Sequence, residues 1–276
     1  MPKTSTRKPI SLPVVGDYPV AGKDYTLALP KGYLSVSQIE KYLNCPEAYR
    51  RAYVVGEKQE TNSNLWYGSM TALALAHLHR GKYTPVKIAK EIKAHKKECD
   101  NWESRHSVEG CIGFVLDCME AYQKDGVAKP RKNGKQDGVE EEFVIEVAGV
   151  KVKGVIDLVE KQRVTDFKTT GNASGYLPES SIQLAIYALA TGVSNVGFKS
   201  FVRNYSGEYT KMVKDYTMLD LKKVRVWLER TVAEVARGIS LGVFPLTNPM
   251  RNKLCCDTYC SFHPTCAVNW KRKIKC

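Results

Sequence analysis

The stretch Gly154-Val155-Ile156-Asp157-Leu158-Val159-Glu160-Lys161-Gln162-Arg163-Val164-Thr165-Asp166-Phe167-Lys168-Thr169-Thr170 decides how the chain is read. Two runs rich in Val, Ile and Phe flank the polar corner Glu160-Lys161-Gln162-Arg163, which predicts a β-hairpin. A loop with an even number of residues sets a register in which Asp157 faces Asp166. Side chains so opposed have Cβ atoms about 4.5–5.5 Å apart, and like charges there repel. Alternation along a strand puts Asp166 and Lys168 on one face with Val164 and turns Phe167 to the other. A divalent cation between the carboxylates, with an ammonium one step along, satisfies this arrangement. Hard oxygen donors suit Mg²⁺ or Mn²⁺, ions that polarise phosphate and lower the pKa of bound water. The competing reading is an exposed hairpin end with solvated acids, and the apolar residues on both faces speak against it.

An Asp, eight residues, then Asp-Phe-Lys-Thr resembles the core motif of the PD-(D/E)XK nucleases, and Gly-x-Ile-Asp before it resembles their RecB-like branch. The resemblance implies an α/β fold with a restriction-endonuclease-like core, a central mixed β-sheet flanked by helices. It also implies that Asp157, Asp166 and the Phe167 carbonyl hold Mg²⁺ or Mn²⁺, while Lys168 positions the attacking water and stabilises the transition state.

Composition bounds the rest. The chain has 276 residues, 43% of them apolar, enough to build a core. No run approaches the roughly 18 apolar residues of a membrane-spanning helix. The N-terminus Met1-Pro2-Lys3-Thr4-Ser5-Thr6-Arg7-Lys8 is basic but has no apolar segment like that of a secretory signal, so a cytoplasmic protein is expected. The net charge of +13 points to a polyanionic partner, and beside a site for phosphate chemistry that partner is nucleic acid. Nine cysteines without a secretory signal favour metal ligation over a disulfide framework for the clustered ones.

Taken in order, residues 1–32 carry five prolines and no helical period, and are expected to form an arm; residues 33–276 are expected to form a single nuclease domain. Ser35 or Ser37 can cap a helix with Ile39, Tyr42 and Leu43 on its apolar face, ended by Cys45-Pro46. A Ser cap, a short helix and Cys-Pro-x-x-Tyr resemble the N-terminal segment of RecB-like nucleases that carry an iron–sulfur cluster. Residues 65–80 are apolar nearly all round, which predicts a buried helix closed by Gly81. The related nucleases have Gly-x-x-x-His on that helix, whereas here Gly68 is followed by Ala72, leaving His79 or His77 as candidate further metal ligands; both are also favoured in a last helical turn by the helix dipole.

Helical patterns are expected over roughly 85–103 and 107–124. The first is basic (Lys87, Lys90, Lys93, Lys96, Lys97), as a solvated face or a contact to the DNA backbone. Cys99, Cys111 and Cys118 read as plain thiols. Residues 129–138 form a basic, mobile loop that is a candidate DNA contact. From 140 the period becomes two, with a tight Ala148-Gly149 turn leading into the opening hairpin, so three strands form a meander. A helix is expected from Pro178 to Thr191, stopped by Gly192, with Gln183 and Tyr187 four apart on one face. In RecB-like nucleases a Gln-x-x-x-Tyr helix borders the active site, so the resemblance makes both residues catalytic candidates. Strands near 195–204 and 208–217 and a helix over 219–240 complete the core order. No phosphate-binding Gly-x-x-x-x-Gly-Lys-Ser/Thr motif occurs.

The tail, residues 252–276, contains Cys255-Cys256-Asp257-Thr258-Tyr259-Cys260 and Cys266, with Cys276 read as free. Four thiolates can hold a cluster or zinc. The resemblance, which is to the AddB nuclease domain and CRISPR-associated exonucleases, implies a [4Fe–4S] cluster on Cys45, Cys256, Cys260 and Cys266, with Cys255 as alternate to Cys256, joining the N- and C-terminal segments. His263 keeps Zn²⁺ as the alternative. The expected function is a Mg²⁺- or Mn²⁺-dependent DNA nuclease, an exonuclease on single-stranded DNA or DNA ends in replication, recombination or repair, working with a helicase or recombination partner and without a membrane. The alternative is a DNA-binding recombination or CRISPR-adaptation accessory protein on a nuclease scaffold, with weak or no cleavage.

Overall fold

The structure, a computed structural model, describes residues 29–132, 134, 137–247, 255 and 260–267. The meander forms as its pattern predicts: β2 (Val139–Val147), β3 (Val150–Val159) and β4 (Val164–Thr170) follow β1 (Leu34–Ser35) in the chain. Ala148 and Gly149 have φ of 53° and 74°, the left-handed pair that a tight two-residue hairpin needs. In β3–β4, Val159 pairs with Val164 and Leu158 with Thr165, so Asp157 and Asp166 are the next residues in register.

The ladder between β3 and β4 stops there. β2 occupies one edge of β3 along its whole length, from Val139↔Leu158 to Val147↔Val150. The other edge is shared: β4 takes the Leu158 end, and β1 pairs in parallel at Leu34↔Val152 and Ser35↔Lys153. β3 and β4 therefore part at Asp157, and the start of helix α1 (Val36–Asn44) enters the fork. β4 continues in parallel with β5 (Asn195–Arg203), which pairs antiparallel with β6 (Tyr209–Met218), giving six strands in all.

Helices cover both faces. On one, α1, α6 (Ile182–Thr191) and α7 (Leu221–Ser240) pack on Val164, Val196 and Phe198. On the other, α3 (Ser63–His79), α4 (Pro85–Ala94) and α5 (Val108–Asp125) enclose Phe201, with Phe167 packed against them. α2 (Pro46–Tyr49) continues from α1 after Cys45. No helix of the described residues is long and apolar enough to cross a membrane.

Four expectations need correction. The helix expected over 85–103 ends at Ala94 and a 3₁₀ turn, because the chain then runs extended beside Asn62, with Asp100 N–H donating to the Thr61 carbonyl. The helix expected from Pro178 starts at Ile182, since Ser181 caps it through Leu184 N–H and Pro178–Ser180 is a separate 3₁₀ turn. On α1 the Ser35–Gln38 capping box buries Val36, Gln38 and Ile39 and leaves Leu43 49% exposed. In the loop before β2, Arg131 is tied down: it pairs with Glu141 at 2.5 Å and donates its N–H to the Val159 carbonyl. Residues 1–28 of the expected arm lie outside the described residues.

Candidate active site

At the fork the backbone of β4 has lost its partner on β3, and side chains take its place. Asp157 Oδ2 accepts the Phe167 N–H at 2.8 Å, replacing a ladder bond. Asp166 is 2% exposed, and its Oδ2 lies 2.7 Å from Lys168 Nζ. The Lys168 ammonium is the partner that holds Oδ2, off the ideal hydrogen-bond direction, and no other described residue donates to it. Lys168 Nζ donates to Gln183 Oε1, Gln183 Nε2 donates to Tyr187 Oη, and the Tyr187 hydroxyl donates to the Val155 carbonyl, each at 2.8 Å. The i, i+4 spacing on α6 thus becomes a relay from the lysine back to β3.

Burial, and then the charge of Asp166, push Asp157 up to about 7, against the Phe167 N–H and Lys168, which favour the anion. Asp166 is also raised by burial, with Lys168 opposing. Burial acts to lower Lys168, but the charge and hydrogen bond of Asp166, with the charges of Asp157 and Glu40, together outweigh it and hold the ammonium form. Two desolvated acids facing each other with one cation between them carry a deficit of positive charge. The hard oxygens of Asp157, Asp166 and the Phe167 carbonyl are of the type that fits a small divalent ion, although no group of three His, Cys, Asp or Glu set to hold a metal is present among the described residues.

Neither histidine joins the carboxylates. Phe167 turns away from Asp166, and the His79 ring packs on Phe167 and Tyr122 on that far side, with Nε2 3.3 Å from Tyr122 Oη. Burial, then the nearby Lys199, lowers His79 to about 4. His77 pairs instead with Glu91 of α4 at 2.9 Å. Ala72 is exposed, two turns along α3 from Leu65, which lines a cleft described below.

Sequence reasoning missed Glu40. It sits on α1 where that helix enters the fork, close enough to Lys168 and Asp166 to feel both charges; burial raises its pKa, Lys168 lowers it and Asp166 raises it. An acid directly after the buried Ile39 was the available signal. Tyr176 was also missed: its ring and that of Phe198 lie 5.9 and 5.5 Å from Lys168 Nζ.

A cavity of about 600 Å³ runs from Glu40 to the cysteines, and Cys45, Cys255, Cys260 and Cys266 all line it. Burial, then the neighbouring thiols, raise the pKa of Cys255; Cys260 is raised by burial and by Cys45 and Cys266. Cys256 lies outside the described residues. Residues 42–51 and 243–265 meet here through protein contacts. Arg51 donates to the Phe262 carbonyl at 3.1 Å and to Thr265 Oγ1 at 2.6 Å, Tyr42 Oη to the Val243 carbonyl at 2.7 Å, and Thr247 Oγ1 to the Asn44 carbonyl at 2.8 Å. His263 Nε2 is buried in this region without a hydrogen-bond partner among the described residues.

Comparison with known proteins gives the same outline. The chain is 27% identical over 268 residues to the Gene 69 protein of Mycobacterium phage D29, covering 82% of this chain and 94% of that one. A crystal structure of a Eubacterium rectale protein assigned as an exonuclease shares the fold with a TM-score of 0.51 at 12% identity, covering 88% of this chain and 90% of that one. Residues 33–267 match the family model of the PD-(D/E)XK nuclease superfamily, and with Asp157, Asp166 and Lys168 gathered at the fork of its sheet, the chain belongs to that superfamily.

Proposed function

We propose that the chain is a Mg²⁺- or Mn²⁺-dependent deoxyribonuclease of the RecB-like branch, acting as an exonuclease on single-stranded DNA or DNA ends. The observation that carries this reading is half-buried Asp157 next in register to buried Asp166, whose Oδ2 has the Lys168 ammonium at 2.7 Å. Asp157, Asp166 and the Phe167 carbonyl would hold the ion, which when bound supplies positive charge to polarise a phosphate and acidify a water. Lys168 keeps its ammonium beside the reacting phosphate, where it offsets the charge that develops in the transition state. Gln183 and Tyr187 fix the Lys168 side chain from behind, so that less ordering is needed at the moment of reaction. Glu40 adds a third carboxyl at the mouth of the site. The net charge of +13 favours a polyanionic substrate, and a helicase or recombination partner would supply the strand separation for which the chain has no nucleotide-binding motif of its own.

The cysteine end supports a second, structural metal group. Four thiols on one cavity suit a [4Fe–4S] cluster held by Cys45, Cys260, Cys266 and one of Cys255 and Cys256, stapling the two ends of the domain. The position of Cys255 on the cavity supports that residue for the ligand left open between the two. His263 Nε2, without a hydrogen-bond partner among the described residues, favours the alternative, a zinc ion bound by three cysteines and this histidine. Iron, sulfide and zinc analysis of anaerobically purified protein decides between them.

The direct test is incubation of purified protein with end-labelled single- and double-stranded DNA in Mn²⁺, Mg²⁺ or chelator. Metal-dependent shortening from an end is the expected result. Tight DNA binding without cleavage in either metal would instead favour an accessory DNA-binding role.

A further inference from the structure

The face of the sheet that carries Asp166 and Lys168 is not wholly covered by helices. Register places Phe198, Ser200 and Val202 of β5 beside Asp166, Lys168 and Thr170, and Asp215, Val213 and Lys211 of β6 beside those in turn. All six β5 and β6 residues line a second cavity of about 380 Å³, roofed by the loop that follows β4. Its size falls at the lower end of the roughly 300–1,000 Å³ typical of small-ligand pockets. Tyr176 lines both this cavity and the larger one that contains Glu40. It packs edge-on against Phe198 at 5.5 Å, and the Lys168 ammonium lies beside both rings.

Polar groups are in place in the second cavity. Asn172 spends its side-chain oxygen on Ser174, accepting from its N–H at 3.0 Å and its hydroxyl at 2.8 Å, so its amide N–H₂ has no acceptor among the described residues. Lys211 is exposed and pairs with no carboxylate among the described residues. A phosphodiester at Lys168 has its two flanking nucleosides within one backbone step. Tyr176, whose ring is 5.9 Å from Lys168 Nζ, lines both cavities and so stands between two spaces adjoining that position.

We infer that Tyr176 is a substrate-binding residue on which a nucleobase flanking the reacting phosphate stacks, and that the β5–β6 cavity is a nucleotide subsite of a single strand, with Lys211 and Asn172 as phosphate and base donors. The inference rests on the proposed function in taking DNA as the substrate and Lys168 as the place of its phosphate, and not on cleavage itself. Every base has a π-face, so stacking here is tolerant of sequence and selective for unpaired bases.

The test measures fluorescence anisotropy of a labelled short oligothymidylate, and of the same deoxyribose-phosphate chain without bases, with Ca²⁺ in place of Mg²⁺ or Mn²⁺. Wild-type protein should bind the oligothymidylate at least tenfold more tightly than the base-free chain. Tyr176→Ala, and Tyr176→Leu as the variant that keeps apolar bulk, should weaken oligothymidylate binding by about tenfold or more and leave the base-free chain unaffected. Tyr176→Phe should stay within about twofold of wild type on both. Lys211→Ala should weaken both ligands equally and lower the salt slope by about one. If the Ala and Leu variants discriminate bases as wild type does, the inference falls. Base-dependent binding through Tyr176 without cleavage in Mn²⁺ would uphold it while sinking the nuclease reading; cleavage with Tyr176-independent binding would do the reverse.

Discussion

Tyr187→Phe removes one oxygen from the relay behind Lys168 and nothing else, because the ring keeps its edge-on packing against Phe143 at 5.8 Å. The hydroxyl makes two hydrogen bonds of 2.8 Å, and Tyr187 is 3% exposed, so water cannot enter to replace it. Each lost bond is worth about 0.5–1.5 kcal/mol, and a buried group left unpaired costs about 1–3 kcal/mol. The Val155 carbonyl and the Gln183 amide both lose that partner, and together they set the cost. A loss of about 2 kcal/mol is expected, a fall in Tm of roughly 4–8 °C for a chain of this size. Lys168 keeps its contact with Asp166, so the rate of DNA cleavage should drop by about tenfold while DNA affinity is unchanged. Because Gln183 bridges Lys168 and Tyr187, Gln183→Ala and Tyr187→Phe should be non-additive, with a coupling of about 1 kcal/mol in both melting and turnover. Calorimetry and single-turnover cleavage of the four proteins measure it. Additivity within about 0.3 kcal/mol, or wild-type turnover in Tyr187→Phe, would refute the claim that the relay positions the lysine.

Asp166→Ala and Lys168→Ala should each abolish cleavage with fold and DNA binding retained, checked by circular dichroism and anisotropy; digestion at the wild-type rate by either removes the proposed site. His79→Ala should leave Mn²⁺ affinity in titration calorimetry unchanged, since the ring packs behind Phe167, and should cost about 1–2 kcal/mol through lost packing. Gly197→Ala should prevent folding into the native sheet, because its Cβ would overlap the Asp215 carbonyl of the neighbouring strand, and soluble yield with melting reports this. Acid should weaken the fold through His79 and His106, both held neutral: His79 is lowered to about 4 by burial and Lys199, and His106 is lowered by burial and Arg203. A histidine depressed in the fold contributes its stability above the unfolded value near 6.5 and loses it as pH falls toward the folded value. For His79 this is at most about 3 kcal/mol between pH 7 and pH 4, and less after solvent screening. Asp157, Asp166 and Glu40 are raised in the fold and act in the opposite sense over the same window, so the check is a comparison: His79→Phe should lose less stability between pH 7 and pH 4 than wild type, and an equal loss would contradict the burial of the His79 ring.

The parts of this site that were legible in the sequence are those fixed by period. Alternation in β3 and β4 and a short loop leave one register, and that register puts Asp157 and Asp166 side by side. Four-residue spacing puts Gln183 and Tyr187 on one face of α6 whatever that face meets. What could not be read is where separate elements arrive. Glu40 is local to α1, and only the parallel pairing of Leu34 and Ser35 with β3 brings that helix into the fork. Tyr176 lies in a loop without a repeating pattern, placed by the Thr170 and Asn172 hydrogen bonds that turn the chain after β4. The histidines show the same limit from the other side. Their place in the last turn of α3 was evident, but which face of β4 that turn reaches depends on packing against α4 and α5.

The chemistry sits at the fork for a reason that belongs to the sheet itself. A continuous antiparallel ladder would close Asp157 and Asp166 against each other and spend every backbone group between them, leaving no opening for an ion or a phosphate. Parting the strands frees those groups, and buried ones must find partners. The Phe167 N–H finds Asp157, and the Val155 carbonyl finds Tyr187. The acids and the relay are thus held by the same unmet backbone groups that the opening creates. Among the described residues the Asp166 Oδ2 is met by the Lys168 ammonium alone. Removing Asp157 should therefore do more than delete a ligand, because it also releases the Phe167 N–H and with it the direction of the Phe167 carbonyl.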